Sequence, residues 1–348
     1  MAHQDMSGAR GFSLVELMVT MTITMIIMAG AFRVFQDART AVTAGSTLAA
    51  TTQDLRAAVN LVSRDLIQTG RLLPQGGIAT PSGTGALSIK RPGPPGTDLS
   101  FPVTFDNHLP SICPGPDLGP VINGVATDLV TTVYVDDTLD LNQFDFVKFP
   151  TGGDGSQMTV NAGTNINDAA TGIRAGDLIY FSNGLGSAVQ TVSSVQGQVV
   201  YFATGDAFRL NQRTAPAGTI LNLSTGSASS RTWTNVSGFR ILMITYYIDT
   251  VTRPGQFRLV RRIGFGPARL IATGIENLQA TYDIRDDNDN PTNQPDAVDP
   301  NDPSQIRKVN LFISGRSALP LSPNRGPLRL SIATQVSLRA MSFFKEYK

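Results

Sequence analysis

"GARGFSLVELMVTMTITMIIMAGAF", residues 8–32, is apolar enough to cross a membrane, yet it contains a carboxylate, Glu16. Glu16 is the only charged residue among the 21 residues from 12 to 32. A helix of this length rises about 30 Å, which matches the hydrocarbon thickness of a bilayer. The stretch therefore predicts a membrane-spanning helix with Arg10 at one end and Arg33 at the other, and with its N-terminus in the cytoplasm.

Glu16 is the unusual feature of this predicted span. A carboxylate in the middle of a bilayer costs roughly 2.5–3.5 kcal/mol, so such residues usually have a partner and a purpose. An ordinary single-span anchor fits the apolar run, and so does a secretory signal peptide cut near Ala29-Gly30-Ala31. Neither alternative has a use for the carboxylate.

The residues around Glu16 form a recognisable motif. The run Gly11-Phe12-Ser13-Leu14-Val15-Glu16-Leu17 resembles the processing motif of type IV prepilins and of the pseudopilins of type II secretion. The resemblance implies that a membrane peptidase cuts between Gly11 and Phe12 and that Phe12 becomes an N-methylated N-terminus. It also implies that Glu16 pairs with an N-terminal amine during subunit assembly. In one departure, Arg33 stands where many major pilins carry proline, which argues against an abundant shaft subunit.

The helix is predicted to continue beyond the membrane, over residues 36–73. Apolar residues recur at helical spacing on one stripe: Leu48, Leu55, Val59, Val62 and Leu66. Charged residues fall off that stripe: Asp54, Arg56, Arg64 and Asp65. Pro74, followed by Gly76-Gly77, ends the helix. We therefore expect one long helix whose second half packs on a sheet.

The rest of the chain divides into three regions by pattern. Residues 74–171 are rich in Pro and Gly and predict extended loop with occasional short strands. Residues 172–236 alternate in short strands and predict a small β subdomain. Residues 237–348 predict an antiparallel meander that contains an acidic loop, residues 283–303. With a leader at 1–11 and a transmembrane helix at 12–35, the expected fold is α+β and pilin-like.

The order of the C-terminal pieces supports the same family. The segments TYYID, PGQFRLVRR, GIENLQATYDI, VNLFISGRS and ATQVSLRAM resemble in their order the C-terminal half of PilW-type minor pilins and of the J-type minor pseudopilins of type II secretion. The resemblance covers about the first 60 and the last 110 residues better than it covers the middle.

The acidic loop is the candidate metal site. Clustered carboxylates and amides suit Ca²⁺, and four residues are the candidate ligands: Asp286, Asp287, Asp289 and Asp296. The loop begins like an EF-hand but lacks its glycine and its closing glutamate, so that motif is excluded. A solvated acidic loop between two strands is the favoured interpretation, and no cofactor is expected.

The net charge and the few residues suited to catalysis limit which other functions the sequence allows. Lys and Arg total 28 against 27 for Asp and Glu, so no global charge indicates a nucleic acid or a membrane surface as partner. The last third is locally basic, which leaves a DNA-uptake role as an alternative, but no nucleic-acid partner is expected. Cys113 is the only cysteine, which excludes an intramolecular disulfide, and His108 beside it lacks a residue to orient it as a base.

Taken together, the sequence predicts a structural subunit rather than an enzyme: a minor pilin that primes type IV pilus assembly and lies near the fibre tip. The expected partners are the prepilin peptidase, other minor and major pilins and the assembly platform of the bacterial inner membrane. The head is expected outside the cytoplasm, first at the membrane and then in the fibre. A type II secretion pseudopilin, a tip adhesin or DNA receptor, and an anchored enzyme remain alternatives.

Overall fold

The computed structural model describes residues 13–101, 107–139, 147–161, 163, 165–285, 291–294, 303–322 and 325–342. These residues form two compact units. The first takes in the chain up to Ala50 together with Ser317–Leu328, and the second takes in Thr51–Arg316 and the chain from Arg329 onward. The fold is α+β, with a long N-terminal helix followed by antiparallel sheets.

The long helix, α1, runs over Leu14–Gln68 and contains 55 residues. By length and composition its N-terminal part could cross a membrane, and none of that window is buried. The hydroxyl groups of Thr20, Thr22 and Thr24 donate to carbonyl oxygens one turn earlier, at 2.7–3.0 Å. Threonine hydroxyls satisfied in this way can be carried into lipid at low cost.

The C-terminal part of α1 behaves differently because one face of it is buried. Leu55, Val59, Val62 and Leu66 lie in the core, as the predicted stripe requires. Leu48, the first member of the predicted stripe, is instead 45% exposed, so that prediction is wrong. The buried face begins only at Thr51.

The helix ends at Gln68, five residues earlier than the sequence predicts. Gly70 adopts a φ of 77°, in the left-handed region that glycine enters without steric cost. Its N–H donates to the carbonyl of Val133 at 3.0 Å, which ties the end of the helix to a strand. The stop signal is therefore this glycine, and Pro74 lies beyond it.

The described residues contain 22 strands, one further short α-helix and two 3-10 helices, at Ile220–Leu223 and Pro303–Gln305. In chain order the strands are β1 Ile78–Ala79, β2 Lys90–Arg91, β3 Leu99–Ser100, β4 His108–Leu109, β5 Ile112–Gly115, β6 Val121–Ile122, β7 Val125–Ala126, β8 Leu129–Val135, β9 Gln157–Thr159, β10 Leu178–Asn183, β11 Gly186–Thr191, β12 Ser194–Gln196, β13 Val199–Tyr201, β14 Ser224–Thr225, β15 Thr232–Trp233, β16 Ser237–Asp249, β17 Arg258–Ile263, β18 Arg269–Thr273, β19 Ile275–Arg285, β20 Pro291–Gln294, β21 Ile306–Ser322 and β22 Arg325–Ser337. Helix α2 covers Arg339–Ser342.

The larger sheet has seven strands and is built around β16. One edge of β16 pairs first with β10 and then with β17, and the opposite edge pairs with β8. Strands β11, β18 and β5 extend the sheet beyond these neighbours. All of these pairings are antiparallel.

The second sheet has four strands in the order β20-β19-β21-β22. The predicted meander over 237–348 is therefore divided: β16–β18 belong to one sheet and β19–β22 to another. Strand β20 lies inside the predicted acidic loop, where it pairs with the end of β19.

The main core joins the two sheets to the helix. Side chains of α1 pack there with Ile244, Tyr246 and Ile248 of β16 and with the inward-facing residues of β19 and β21. A separate core serves the middle of the chain and draws on residues from Leu139 to Val236, including Met158 of β9, which pairs with Val200 of β13. The middle subdomain thus takes in residues N-terminal to the expected start at 172.

The sequence predicts occasional short strands in residues 74–171 but does not identify β8 among them. All seven of its residues are buried, and it occupies a central position between β5 and β16. It lies in the Pro- and Gly-rich region 74–171, and its sequence, LVTTVYV, is apolar apart from two central threonines. A strand buried on both faces shows no alternation, so the period-two test cannot find it.

A buried carboxylate on the helix links α1 to the larger sheet. Asp65 is 2% exposed, and its Oδ2 accepts hydrogen bonds from Arg261 Nε and from the Tyr246 hydroxyl, both at 2.6 Å. Its Oδ1 accepts from the Tyr134 hydroxyl at 3.3 Å. Burial first, and then the Asp65 carboxylate, raises the pKa of Tyr134 to about 12, so this phenol stays protonated and donates. The sequence placed Asp65 off the apolar stripe, and that position faces the sheet.

We expect Asp65→Asn to lower the free energy of unfolding by about 3 kcal/mol, because removing one member of a buried ion pair leaves the other charge uncompensated. Asp54→Asn, at an exposed position of the same helix, is the matched control and should change stability little. Denaturant unfolding of the full chain in detergent measures both. Equal effects of the two substitutions would contradict the role given to Asp65.

Candidate functional site

The motif at the N-terminus is the first candidate site. Gly11 and Phe12, the residues of the predicted cut and methylation, lie outside the described residues. Glu16 lies in the first turn of α1 with its side chain exposed. A carboxylate in the first turn of a helix lies near the positive end of the helix dipole.

Apolar side chains surround Glu16 on every face of the helix. Large hydrophobic residues that are more than half exposed include Leu14, Val15, Leu17, Met18, Val19, Met21, Ile23, Met25, Ile26, Ile27, Met28, Phe32, Val34 and Phe35. An exposed apolar surface of this extent marks a site of association with lipid or with other chains. The arrangement can therefore insert into a membrane and pack against neighbouring helices.

Within the described part of the chain Glu16 makes no ion pair. Its backbone carbonyl accepts a hydrogen bond from the Thr20 hydroxyl at 3.0 Å. In a bilayer the side chain needs a hydrogen-bonded or cationic partner to offset its desolvation. That partner must come from beyond these residues.

The four calcium candidates, Asp286, Asp287, Asp289 and Asp296, all lie outside the described residues. Among the residues that are described, no group of three or more His, Cys, Asp or Glu side chains could hold a metal ion. The calcium site thus stays a prediction.

His108 and Cys113 do not provide nucleophile chemistry. Cys113 is fully buried in β5, and its thiol donates to the carbonyl of Pro110 at 3.5 Å. Burial raises the pKa of Cys113 to about 12. A thiol with such a pKa carries almost no thiolate at neutral pH and is therefore a poor nucleophile. His108 is exposed on β4.

Several arginines of the last third form ion pairs with carboxylates of the head itself. Arg258 pairs with Asp249, and Arg261 pairs with Asp65. Glu276, which is 6% exposed, accepts from Arg329 Nε at 2.9 Å and lies 3.4 Å from Arg316 Nη1. Arg258 and Arg261 are thus largely buried beside their carboxylates, whereas the Arg329 side chain is 62% exposed and reaches Glu276 from the solvent side.

Arg91 is a buried cation whose burial is not evident from the sequence. It is 2% exposed, and its guanidinium donates to the carbonyls of Cys113 and Pro114 and to the Thr131 hydroxyl. Burial lowers the pKa of Arg91. It lies in the RPGPPG run, where the neighbouring glycines and prolines indicate a loop and give no sign of burial.

Comparison with known proteins bears on the N-terminus. Residues 6–32 match the family described as "Prokaryotic N-terminal methylation motif". No curated protein matches the chain. Among solved structures the chain is similar to the type IV-like pilin TTHA1219 from Thermus thermophilus, with 11% identity, 48% of this chain and 87% of that chain covered, and a TM-score of 0.18.

The motif match gives the chain a type IV pilin-like N-terminus with a prepilin methylation motif. Such a motif implies processing by a prepilin peptidase and assembly with other pilins. Proteins that carry it are structural subunits and are not known as enzymes. Together with the exposed apolar helix it is consistent with anchoring in a membrane.

The buried thiol yields a test of the head. Cys113 should resist maleimide labelling at pH 8 in the folded chain and react fully in denaturant, because its raised pKa keeps it protonated and burial excludes the reagent. The raised pKa also makes the stability of the fold depend on pH. Below the thiol's ordinary pKa of 9.0 the thiol is protonated in both the folded and the unfolded chain. As the pH rises from 9.0 towards 12 only the unfolded chain loses this proton readily, so the free energy of unfolding falls. Rapid labelling of the native chain would contradict the burial of Cys113.

Proposed function

We propose that this protein is a PilW-like minor pilin that primes the assembly of a type IV pilus and lies at or near its tip. The observation that carries the proposal is the methylation motif, residues 6–32, placed ahead of a helix whose apolar surface is exposed on all sides. A prepilin peptidase would cut between Gly11 and Phe12, and the new amine of Phe12 would be methylated.

Glu16 is the assembly residue in this mechanism. The cut frees an N-terminal ammonium group at the membrane, and this cation and the Glu16 carboxylate are both costly in lipid. Pairing the amine of one subunit with Glu16 of its neighbour offsets both costs at once. Because the pair forms at one depth only, it also fixes the axial register between adjacent helices.

The head would lie outside the cytoplasm, with the helix first in the inner membrane and later in the fibre core. Its partners would be other minor and major pilins and the assembly platform. Two features favour a low-copy position over the shaft: Arg33 at the place of the proline of many major pilins, and a head that carries a second core in residues 139–236. A bulky head is easier to fit at a tip than in a repeating shaft.

A minor pseudopilin of type II secretion is the second candidate, since the same motif and the same exposed helix serve that machinery. The two candidates differ in their partners and share the chemistry of Gly11, Phe12 and Glu16. Removing the gene and measuring pilus number on one hand and protein secretion on the other separates them.

The first prediction concerns the mature N-terminus. Intact mass and terminal peptide sequencing of the chain from native membranes should give a chain that begins at N-methylated Phe12. An uncut chain, or one cut near Ala29-Gly30-Ala31, would overturn the proposal in favour of a plain anchor or a signal peptide.

The second prediction concerns Glu16. Glu16→Leu should leave cleavage and membrane insertion intact but reduce recovery in sheared fibres by tenfold or more. The substitution leaves the N-terminal ammonium of the neighbouring subunit without its partner, and an unpaired charge in lipid costs about 2.5–3.5 kcal/mol. Thr20→Leu, one turn later, is the control, because the Thr20 hydroxyl bonds only within its own helix. Immunoblots of membrane and fibre fractions give the readout, and normal fibre recovery of the Glu16 variant would contradict the pairing.

A further inference from the structure

A groove of about 600 Å³ lies on the outer face of the larger sheet, at β17 and β18. We call it the β17–β18 groove. Leu259 of β17 points into the core shared with the helix, so the next residue, Val260, points to the opposite face and forms the floor with Leu270. The loop 94–97 forms one wall, and the turn 265–267 forms the other. The floor is open to solvent at Leu270, which is 52% exposed, whereas Val260 is buried.

Two guanidinium groups line the groove against one carboxylate. Arg262 donates to three backbone carbonyls, with Nε to Gly266 at 2.9 Å, Nη1 to Gly93 at 3.2 Å and Nη2 to Phe265 at 3.1 Å, and no described carboxylate pairs with it. Arg258 pairs with Asp249, and its buried Nε has no acceptor. The lining is therefore net positive.

The sequence around the groove adds to this charge. Residues 250–275 contain five arginines and no aspartate or glutamate. Arg261 is neutralised by Asp65 on the other face of the sheet, while the side chains of Arg253 and Arg269 are exposed and form no ion pair in the described part of the chain. Uncompensated arginines beside an open apolar floor form a site for an anionic partner.

The walls restrict the form of that partner. Pro94, Pro95 and Pro267 line the groove with the ring of Phe265 and with Tyr247. Grooves lined by aromatic rings favour extended, proline-containing peptides, which lose little entropy on binding. A nucleic acid would need a row of cations to follow its phosphates, whereas the groove lining holds two arginines, one of which is paired with Asp249.

We propose that the β17–β18 groove binds an extended, acidic, proline-containing peptide segment of a neighbouring subunit. The proposal rests on the proposed function only in requiring that the chain assembles with neighbours. This chain itself contains a segment of such composition: residues 286–303 have six aspartates and four prolines and no lysine or arginine.

The test uses the full chain in detergent and a fluorescein-labelled peptide with the sequence of residues 286–303 as the acidic probe. Fluorescence anisotropy should show saturable binding that weakens as salt is raised. Leu270→Glu and Ala268→Glu, which place a carboxylate in the groove, should each weaken binding at least about tenfold. Both positions are exposed, so the fold should tolerate these substitutions.

Leu185→Glu is the matched control, at a residue that is 56% exposed and lies in the β10–β11 turn, outside the groove lining. It should bind the probe as the unchanged chain does. Equal loss in the control, undiminished binding of a probe with asparagine at every aspartate, or no binding at all would each overturn the proposal. The proposal would also be overturned, in favour of nucleic acid, if a DNA duplex bound more tightly than the peptide probe and if the groove variants abolished that binding. The N-terminal mass is a separate readout, so failure here leaves the processing result standing.

Discussion

The head depends on the contact between Asp65 and the larger sheet. A charged carboxylate at 2% exposure is tolerated only because a guanidinium and two phenols satisfy it at once. The apolar residues of α1 could pack on a sheet in several rotations, since dispersion contacts are not directional. Asp65 removes that freedom, because only one rotation brings its oxygens to Arg261 and Tyr246. The helix thereby orients β16 and β17, and β16 in turn is the strand on which β8 and β10 assemble.

Helix α1 carries a second carboxylate in the opposite situation. Asp65 has all of its partners within the described part of the chain, whereas Glu16 has none there and is surrounded by exposed apolar residues. The same physical cost applies to both groups, since an uncompensated charge in a medium of low dielectric is unstable. The head meets that cost by folding. At Glu16 it can be met only by another group brought in from outside, which is the physical reason why an assembly role suits this position.

The sequence was informative where the signal is local. A processing motif, an apolar run of fixed length and a stripe such as Leu55, Val59, Val62 and Leu66 can each be recognised without knowing the rest of the fold. Leu48 has the same spacing yet is exposed, because burial also requires something to cover it, and spacing does not report that. Strand β8 has no periodicity to detect, and the division of the predicted meander into two sheets depends on long-range pairing that no window of sequence contains. The motif residues Gly11, Phe12 and Glu16 could be named from sequence alone, whereas Asp65 could not, because its importance lies in residues almost 200 positions away in the chain.

Ion pairs formed by arginines fix the register between the helix and the strands of the head, whose single cysteine cannot form an internal disulfide. Arg261 ties the helix to β17, Arg329 and Arg316 converge on Glu276 in the second sheet, and Arg240 donates from β16 to Asp136 at 2.6–2.9 Å, just beyond β8. Buried ion pairs add little net free energy compared with apolar packing, but a wrong register would strand a charge without its partner. The basic character of the last third therefore serves the fold first. Arg262 at the β17–β18 groove differs from these arginines, because its hydrogen bonds go to backbone carbonyls and no described carboxylate neutralises it. Its positive charge lies beside an apolar floor and can therefore attract an anionic partner.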